Sequence, residues 1–373
     1  MKTSFSPVTF VMIGLLCLCH FALSLRVIAQ VSAQDTAQDT AQVTAQVTGL
    51  EDRSAVVYVY HRFGEDKYPS TNTRLEQIEA QIAFLQSEPF NFLSLEQFIH
   101  HMTADKPFPH KSVLFTVDDA YKSVLTEAWP RLKAAGIPLA LFVSTDIIDQ
   151  KIPGYMSWDD IRFLMQEGVA IAHHGAAHMH MVHRGIEAAE KDLDKASKRF
   201  MEELGFVPKA FAYPYGEYSK DIRNMVATKG FDLAFAQYSG AAGLNSDLMS
   251  LPRFAVNERY GKIGRFQLIS RSIALPVSAV TPEDPYIENP AQNPPMIGFT
   301  LEKDIDAAAM TCFPSHLGGE TATILKPTNS RYEIRFEKPL PKGRSRLNCT
   351  LLAGNKRWYW YSRYFLVPGG KLD

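Results

Sequence analysis

The chain has 373 residues, room for one large domain and a smaller one, and its hydrophobic content of 46% is ordinary for a globular protein. Lysine plus arginine (39) and aspartate plus glutamate (40) nearly cancel, leaving a net charge of −1 at pH 7. That balance supplies no basic surface of the kind nucleic-acid binding needs, so no nucleic acid is expected as a partner.

Lys2 precedes an apolar segment from Val8 to Leu25, and Val31-Ser32-Ala33 offers small residues for cleavage, so residues 1–33 read as a signal peptide. The bulk of the chain is therefore expected in the periplasm or outside the cell. Left uncleaved, the same segment approaches spanning length and would tether the chain to a membrane. Cys17 and Cys19 each follow a leucine where a lipidation signal wants a small residue, so no lipid anchor is expected. Residues 34–53 hold most of a tetrapeptide repeat that starts at Ala33, Ala-Gln-Asp-Thr and then Ala-Gln-Val-Thr. It is too polar to bury a core and reads as a disordered linker.

From residue 54 to 277, apolar runs alternate with amphipathic stretches. In chain order the pattern predicts strand Ala55–Tyr60, helix Leu75–Gln86, helix Leu95–Met102 capped by Ser94, strand Ser112–Val117 and helix Tyr121–Ala135. Strand Leu139–Val143 follows, then helix Trp158–Glu167 capped by Ser157, strand Val169–His173 and helix Ile186–Leu204. Strand Lys209–Tyr213, helix Lys220–Lys229 and strand Leu233–Gln237 complete the run. Repeated strand–helix units imply a parallel α/β sheet with helices outside, open or closed into a barrel. Near Leu275 the texture changes. Six prolines from Pro276 to Pro295 suggest a linker or extended cover. Residues 278–373 then read as short β-prone segments that suit a small sandwich: Met296–Thr300, Ala307–Phe313, Arg331–Phe336, Arg346–Leu352 and Arg357–Leu366. Cys312 and Cys349 fall in this module, and an exported chain lets a disulfide between them persist.

Sites in such folds gather at the C-terminal ends of strands, where His61, Asp118, Asp119, His174 and Pro214 all lie. Asp119, His174 and His178 make a carboxylate–imidazole–imidazole set suited to a catalytic divalent metal. Asp118 is then placed to act on a metal-bound water. Bland alternatives stand beside this reading. An Asp after a strand caps helices well. His173, His180 and His183 crowd the same loop, and His180 is the nearest substitute for one of the two ligands.

The motifs carry a resemblance. Thr116-Val117-Asp118-Asp119-Ala120, His174-Gly175-Ala176-Ala177-His178 and Ala212-Tyr213-Pro214-Tyr215-Gly216, in that order, resemble the three motifs of the polysaccharide deacetylases of the NodB-homology group, carbohydrate esterase family four. The resemblance spans roughly Val56 to Arg253. It implies a distorted (β/α) barrel, here followed by the C-terminal β-sandwich-like module, and a hydrolase that removes acetyl groups from an N-acetylated polysaccharide. It further implies Asp118 as general base, Asp119, His174 and His178 as metal ligands, and the Tyr215 backbone N–H toward the oxyanion. Zn²⁺ is the default ion, and Asp and His ligands also admit Co²⁺, Ni²⁺ or Fe²⁺.

Departures refine the match. Gly175 replaces a hydroxyl residue, Ala120 a glycine, and Ala212 an arginine. No later motif supplies a catalytic His, whereas His61 ends the first strand. That order, together with Phe211-Ala212-Tyr213-Pro214-Tyr215-Gly216, is similar to the permuted poly-N-acetylglucosamine deacetylases and implies His61 as general acid. Arg253 is a candidate for the missing charge beside Asp118. Trp158 and Tyr213 are candidates to wall the sugar site, or else core residues. Trp358-Tyr359-Trp360-Tyr361 alternates as a strand, with packing preferred over sugar stacking. An O-acetyl esterase, a small-molecule amidohydrolase and a non-catalytic glycan-binding protein are the rival functions.

Overall fold

The structure, a computed structural model, describes residues 52–302, 305–354 and 356–370. The expected signal peptide and nearly all of the repeat linker lie outside the described residues. Among the described residues no helix is long and apolar enough to cross a membrane.

Six strands, β1 (Ser54–Tyr60), β2 (Ser112–Asp118), β3 (Leu139–Val143), β4 (Ala170–His173), β5 (Ala210–Ala212) and β6 (Leu233–Phe235), stand side by side in chain order. Every neighbouring pair among them is parallel. The far edge of β1 is covered by β7 (Ala241–Gly243), antiparallel, and by β8 (Phe254–Ala255), parallel. The residues entering β8 reach back to β6: Leu251 donates to Ala234 O at 2.9 Å, Ala236 donates to Leu251 O at 2.9 Å, and Arg253 donates to Tyr238 O at 3.0 Å. Leu251–Ala255 thus bridges the last parallel strand to the first. The result is a distorted barrel closed by a short strap.

Side chains alternate across each strand. Val57, Leu114, Ala140, Phe142, Ala172 and Phe235 share the inner cluster. Tyr58, Phe115, Val117, Leu141, Val143 and Ile171 belong to the outer cluster, which packs against helices. Following the inner parity to the C-terminal strand ends gives Val57-Val59-His61, Leu114-Thr116-Asp118 and Ala172-His174. Phe98, Met102 and Phe108 join the inner cluster at the opposite end. One end of the barrel is therefore apolar and filled, while the other carries the ionisable groups.

Helices Leu75–Gln86 and Ile186–Leu204 and strand Leu139–Val143 have the expected bounds. Ser94 and Ser157 cap their helices by accepting from the N–H of Gln97 and Asp160. The helix expected over Tyr121–Ala135 runs from Lys122 to Ala134 with a π-helical turn at Val124–Ala128. Positive φ at Asp119 (75°) and Ala120 (55°) keeps these two residues outside it. Pro130 lacks the N–H for an i−4 bond, which favours the wider turn.

Beyond the barrel come β9 (Ser272–Ala274), β10 (Val277–Thr281), β11 (Ile297–Leu301), β12 (Thr311–Pro314), β13 (Thr323–Leu325), β14 (Arg331–Arg335), β15 (Gly343–Gly354) and β16 (Arg357–Val367). They form two four-stranded sheets, β9-β16-β15-β12 and β10-β11-β14-β13. Phe299 of one sheet packs on Tyr361 of the other with ring centres 4.9 Å apart. The proline-rich stretch is not all linker, because Pro276 and Pro282 bracket strand β10, where a missing N–H is tolerated. Cys312 and Cys349 face each other across β12 and β15 and are bonded. Trp360 stands edge-on to Phe254 of the barrel at 5.2 Å. Trp360 and Tyr361 are therefore packing rings.

Candidate active site

β2 delivers Asp118 to the inner face, and the left-handed turn at Asp119 and Ala120 brings the second carboxylate to the same mouth. The Asp119 N–H is held by Phe142 O at 3.1 Å. Non-glycine residues avoid positive φ, at a cost of about 1–2 kcal/mol each. His178 (49°) and Tyr215 (58°) share this strain, so all three motifs contain a residue held against its backbone preference.

Asp118 is 3% exposed and Arg253 1%. The guanidinium grips the carboxylate with both forks, Nη1 to Oδ1 at 2.8 Å and Nη2 to Oδ2 at 2.7 Å. Its Nε donates to Ala236 O at 3.1 Å, and the rings of Phe142 and Phe235 lie 5.4 and 5.6 Å away. Burial pushes the Asp118 pKa up, but Arg253 and His174 outweigh it and hold the carboxyl below its usual range. Ala212, where the motif would carry arginine, is small, and the charge arrives instead from the closing strap.

The N–H of His174 continues the β3–β4 ladder to Val143 O at 3.0 Å. Its Nδ1 lies 2.7 Å from Ala212 O. A carbonyl only accepts, so Nδ1 carries the proton and Nε2 turns a lone pair toward Asp119. Asp119 Oδ1 lies 3.5 Å from His174 Nε2 and 3.2 Å from His178 Nε2. Among the described residues the ligand atoms of Asp119, His174 and His178 are a metal-capable group within 4.8 Å of one another. Oδ1 of Asp119 is buried and accepts no aligned hydrogen bond. Acceptors facing one another in a buried pocket fit a cation between them, with the Ala212 carbonyl fixing the tautomer of one ligand.

The loop carrying this pair is fastened by Asp192, which sequence reasoning missed. Its carboxylate accepts from Ala176 N and Ala177 N, both at 2.8 Å. A Cβ on Gly175 would lie 2.6 Å from Asp192 Oδ2, and its φ is +77°. A hydroxyl residue has no room there, and Asp192 takes over the tethering. The signal was present: an acid inside the buried stripe Ala189, Asp192, Leu193, Ala196 and Phe200 has no packing reason to be there.

His61 directly follows β1, with its charge neighbours Asp119, Asp118, Arg253 and His174 around it. Burial lowers its pKa and the two carboxylates oppose that shift. His180 lies outside the ligand group. Its Nδ1 contacts Glu217 Oε2 at 2.8 Å, and its ring stacks on Tyr215 at 3.7 Å. Tyr215 in turn stands against His178, with ring centres 4.5 Å apart. Two expected wall residues are not brought to the mouth. Trp158 packs on Phe200 and donates to Asp149 Oδ1 at 2.7 Å. Tyr213 has the outward parity, packs on Phe211 and donates to Met249 O at 2.9 Å. Glu217 and Arg344 are the other unforeseen neighbours. Arg344, from β15, donates to Tyr215 O at 2.7 Å and lies 3.5 Å from Glu217 Oε1.

A strand-closed barrel with an acid pair and an Asp-His-His group at one mouth defines a NodB-type deacetylase fold. Residues 105–234 match the polysaccharide deacetylase family model. The poly-β-1,6-N-acetyl-D-glucosamine N-deacetylase of Staphylococcus aureus is 24% identical over 213 residues, covering 54% of this chain and 73% of that protein. The Streptococcus pyogenes deacetylase PplD, solved with acetate, superposes with a TM-score of 0.51 at 19% identity, covering 55% of this chain and 93% of PplD. A de-N-acetylase from Aggregatibacter actinomycetemcomitans gives a TM-score of 0.50 at 19% identity, with 57% and 99% covered. Over residues 105–234 the chain is similar to the polysaccharide deacetylase family, and its barrel shares the fold of these solved deacetylases.

Proposed function

We propose that this protein is an exported, metal-dependent hydrolase that removes acetyl groups from an N-acetylated, glucosamine-type polysaccharide. The observation that carries the reading is the convergence of Asp119, His174 and His178 on one point beside the Arg253-clamped Asp118. A divalent ion held by those three residues supplies a Lewis acid and lowers the pKa of a bound water. Zn²⁺ suits the donor set, as do Co²⁺, Ni²⁺ and Fe²⁺. Asp118 accepts the proton of the attacking water. Arg253 keeps it ionised and oriented, and a carboxylate gripped by a fork retains lone pairs on its far side. His61 passes a proton to the leaving amine, which departs poorly as an anion. The Tyr215 N–H is assigned to the oxyanion. The similarity to the poly-β-1,6-N-acetyl-D-glucosamine N-deacetylase of Staphylococcus aureus supports the choice of sugar.

The test combines elemental analysis with acetate release from N-acetylglucosamine oligomers. The unaltered protein is expected to hold one divalent ion per chain and to release acetate. His178→Ala should lose the ion. Asp118→Asn should keep it and slow by about 10²–10⁴-fold, the usual contribution of general-base catalysis. His61→Ala should keep the ion, lose N-deacetylation and spare part of the hydrolysis of an activated acetate ester. An Asp118→Asn protein at full rate, or a stoichiometric ion in His178→Ala, would overturn the reading.

A further inference from the structure

Beside the mouth lies a cavity of about 530 Å³. Its walls come from Glu217, Asn257 and Tyr260 on the barrel loops and from Lys342, Arg344 and Arg346 at the start of β15. The charges do not balance. Glu217 is the acid of the lining, and it is already engaged by His180 Nδ1 at 2.8 Å and Arg344 Nε at 3.5 Å. Lys342 and Arg346 face the cavity with no carboxylate in ion-pair range among the described residues. Behind them Arg265 lies under the Tyr260 ring at 5.1 Å and donates to two carbonyls, Ala255 O at 3.2 Å and Tyr260 O at 2.7 Å. Cations elsewhere can be neutralised by their neighbours, as Arg199 is by Asp149, Glu202 and Glu203. In a chain of net charge −1, Lys342 and Arg346 thus bring to one concave place positive charge that has no carboxylate partner among the described residues.

The cavity also adjoins the chemistry. Arg344 lines it and donates to Tyr215 O, and the Tyr215 ring rests on His178. A glycan whose acetamide reaches the metal-capable group therefore lays a neighbouring unit toward these cations. Concave clefts of one sign raise the local concentration of the opposite charge. We infer that this cavity is an anion subsite that takes a carboxylate or phosphate on a sugar unit near the reacting one, making acidic N-acetylated glycans the preferred substrates. The inference rests on the proposed deacetylation and adds its substrate class. The same field repels the ammonium groups that deacetylation leaves behind, so acetamides flanked by free amines are poor substrates.

The experiment uses full-length, metal-loaded protein and three oligosaccharides of equal length. One is neutral poly-N-acetylglucosamine, one alternates N-acetylglucosamine with glucuronate, and one is N-acetylglucosamine bearing a phosphate ester. Binding is measured on Asp118→Asn and acetate release on the unaltered protein. At low salt at least one acidic oligomer is expected to bind tenfold or more tightly than the neutral one, and the two acidic arms identify which anion is read. The preference should shrink as salt screens the exposed charges. It should collapse in the double variant Lys342→Glu, Arg346→Glu, whose positions are exposed and whose folding is checked by thermal unfolding. Equal binding of all three oligomers, or a preference that survives the double variant, overturns the subsite. Acidic binding without acetate release from any oligomer would keep the subsite and defeat the deacetylase reading. Acetate release without charge preference would do the reverse.

Discussion

Along β15 and β16 the C-terminal module pairs residues in a long antiparallel register from Gly343–Val367 to Gly354–Arg357. Buried and solvent-facing positions alternate along it, and charges such as Glu333 and Arg335 meet near the surface. The barrel mouth is built the other way. Asp118, Asp119, His174 and Arg253 are buried side by side, and Asp119, Ala120, His178 and Tyr215 are held at positive φ. Buried charge and left-handed backbone both cost free energy, and each persists only where the surroundings over-determine it. In the module, charges such as Glu333 and Arg335 stay within reach of solvent. At the mouth charge is kept out of water by a closed barrel, an apolar plug and a clamped loop, which is what a preorganised reaction site requires.

The sharpest way to break that contrast is at Arg253. Arg253→Met removes the partner of a fully buried carboxylate between Phe142 and Phe235. Losing one member of such a pair costs about 3–5 kcal/mol. Urea unfolding should show a loss in that range, and Asp118 should become harder to ionise. Adding Asp118→Asn should recover part of the loss, because no uncompensated charge remains. A single variant as stable as the unaltered protein would mean that Asp118 reaches water and that the mouth resembles the module after all.

The module offers the next test. Cys312 and Cys349 lie 37 residues apart and join adjacent strands. Replacing both with serine should cost about 2–4 kcal/mol, mainly by freeing the unfolded chain. The loss should appear in unfolding under non-reducing conditions with metal content unchanged. Thiol counting on denatured, unreduced protein should find no free thiol from this pair. Loss of the ion together with the disulfide would show that the mouth depends on the module for more than the Arg344 contact.

What was legible in the sequence follows the same division. Strand parity is local, so the inner placement of His61, Asp118 and His174 follows from counting along apolar runs, and strand-end position together with the motif resemblance groups Asp119 with the histidine pair. The C-terminal strands were readable from β-prone alternation, except where prolines hid β10 among loop signals. Arg253 was suggested only by the missing motif arginine and Asp192 only by an acid in a buried helix stripe, while Glu217 and Arg344 are contacts made by closure. Asp118 and Arg253 are 135 residues apart, and Tyr215 and Arg344 are 129 apart, distances at which periodicity carries no information. Trp158 and Tyr213 failed as wall residues for a plainer reason. An aromatic near a motif looks the same in sequence whether it points into the barrel or out of it, and both point out.

The smallest expected effects come from two glycines with the same left-handed backbone. Gly318 (φ 64°) ends a turn in the module, and a Cβ there would meet nothing within 4 Å. Gly318→Ala therefore costs only the backbone preference, about 1 kcal/mol, with metal content and rate unchanged. Gly175 (φ 77°) carries the same preference, but its Cβ would meet Asp192 Oδ2, which accepts from Ala176 N while Oδ1 accepts from Ala177 N. Gly175→Ala must push that carboxylate off at least one amide, adding about 1–3 kcal/mol for an unsatisfied buried donor. His174 and His178 sit at the two ends of this loop, so the larger consequence is loosened metal binding. Disturbing such outer supports typically costs 10–100-fold in affinity, measurable by competition with a chelator. If Gly175→Ala matched Gly318→Ala in both stability and chelator resistance, Asp192 would be a bystander. The strain at the mouth would then be incidental to holding the ion.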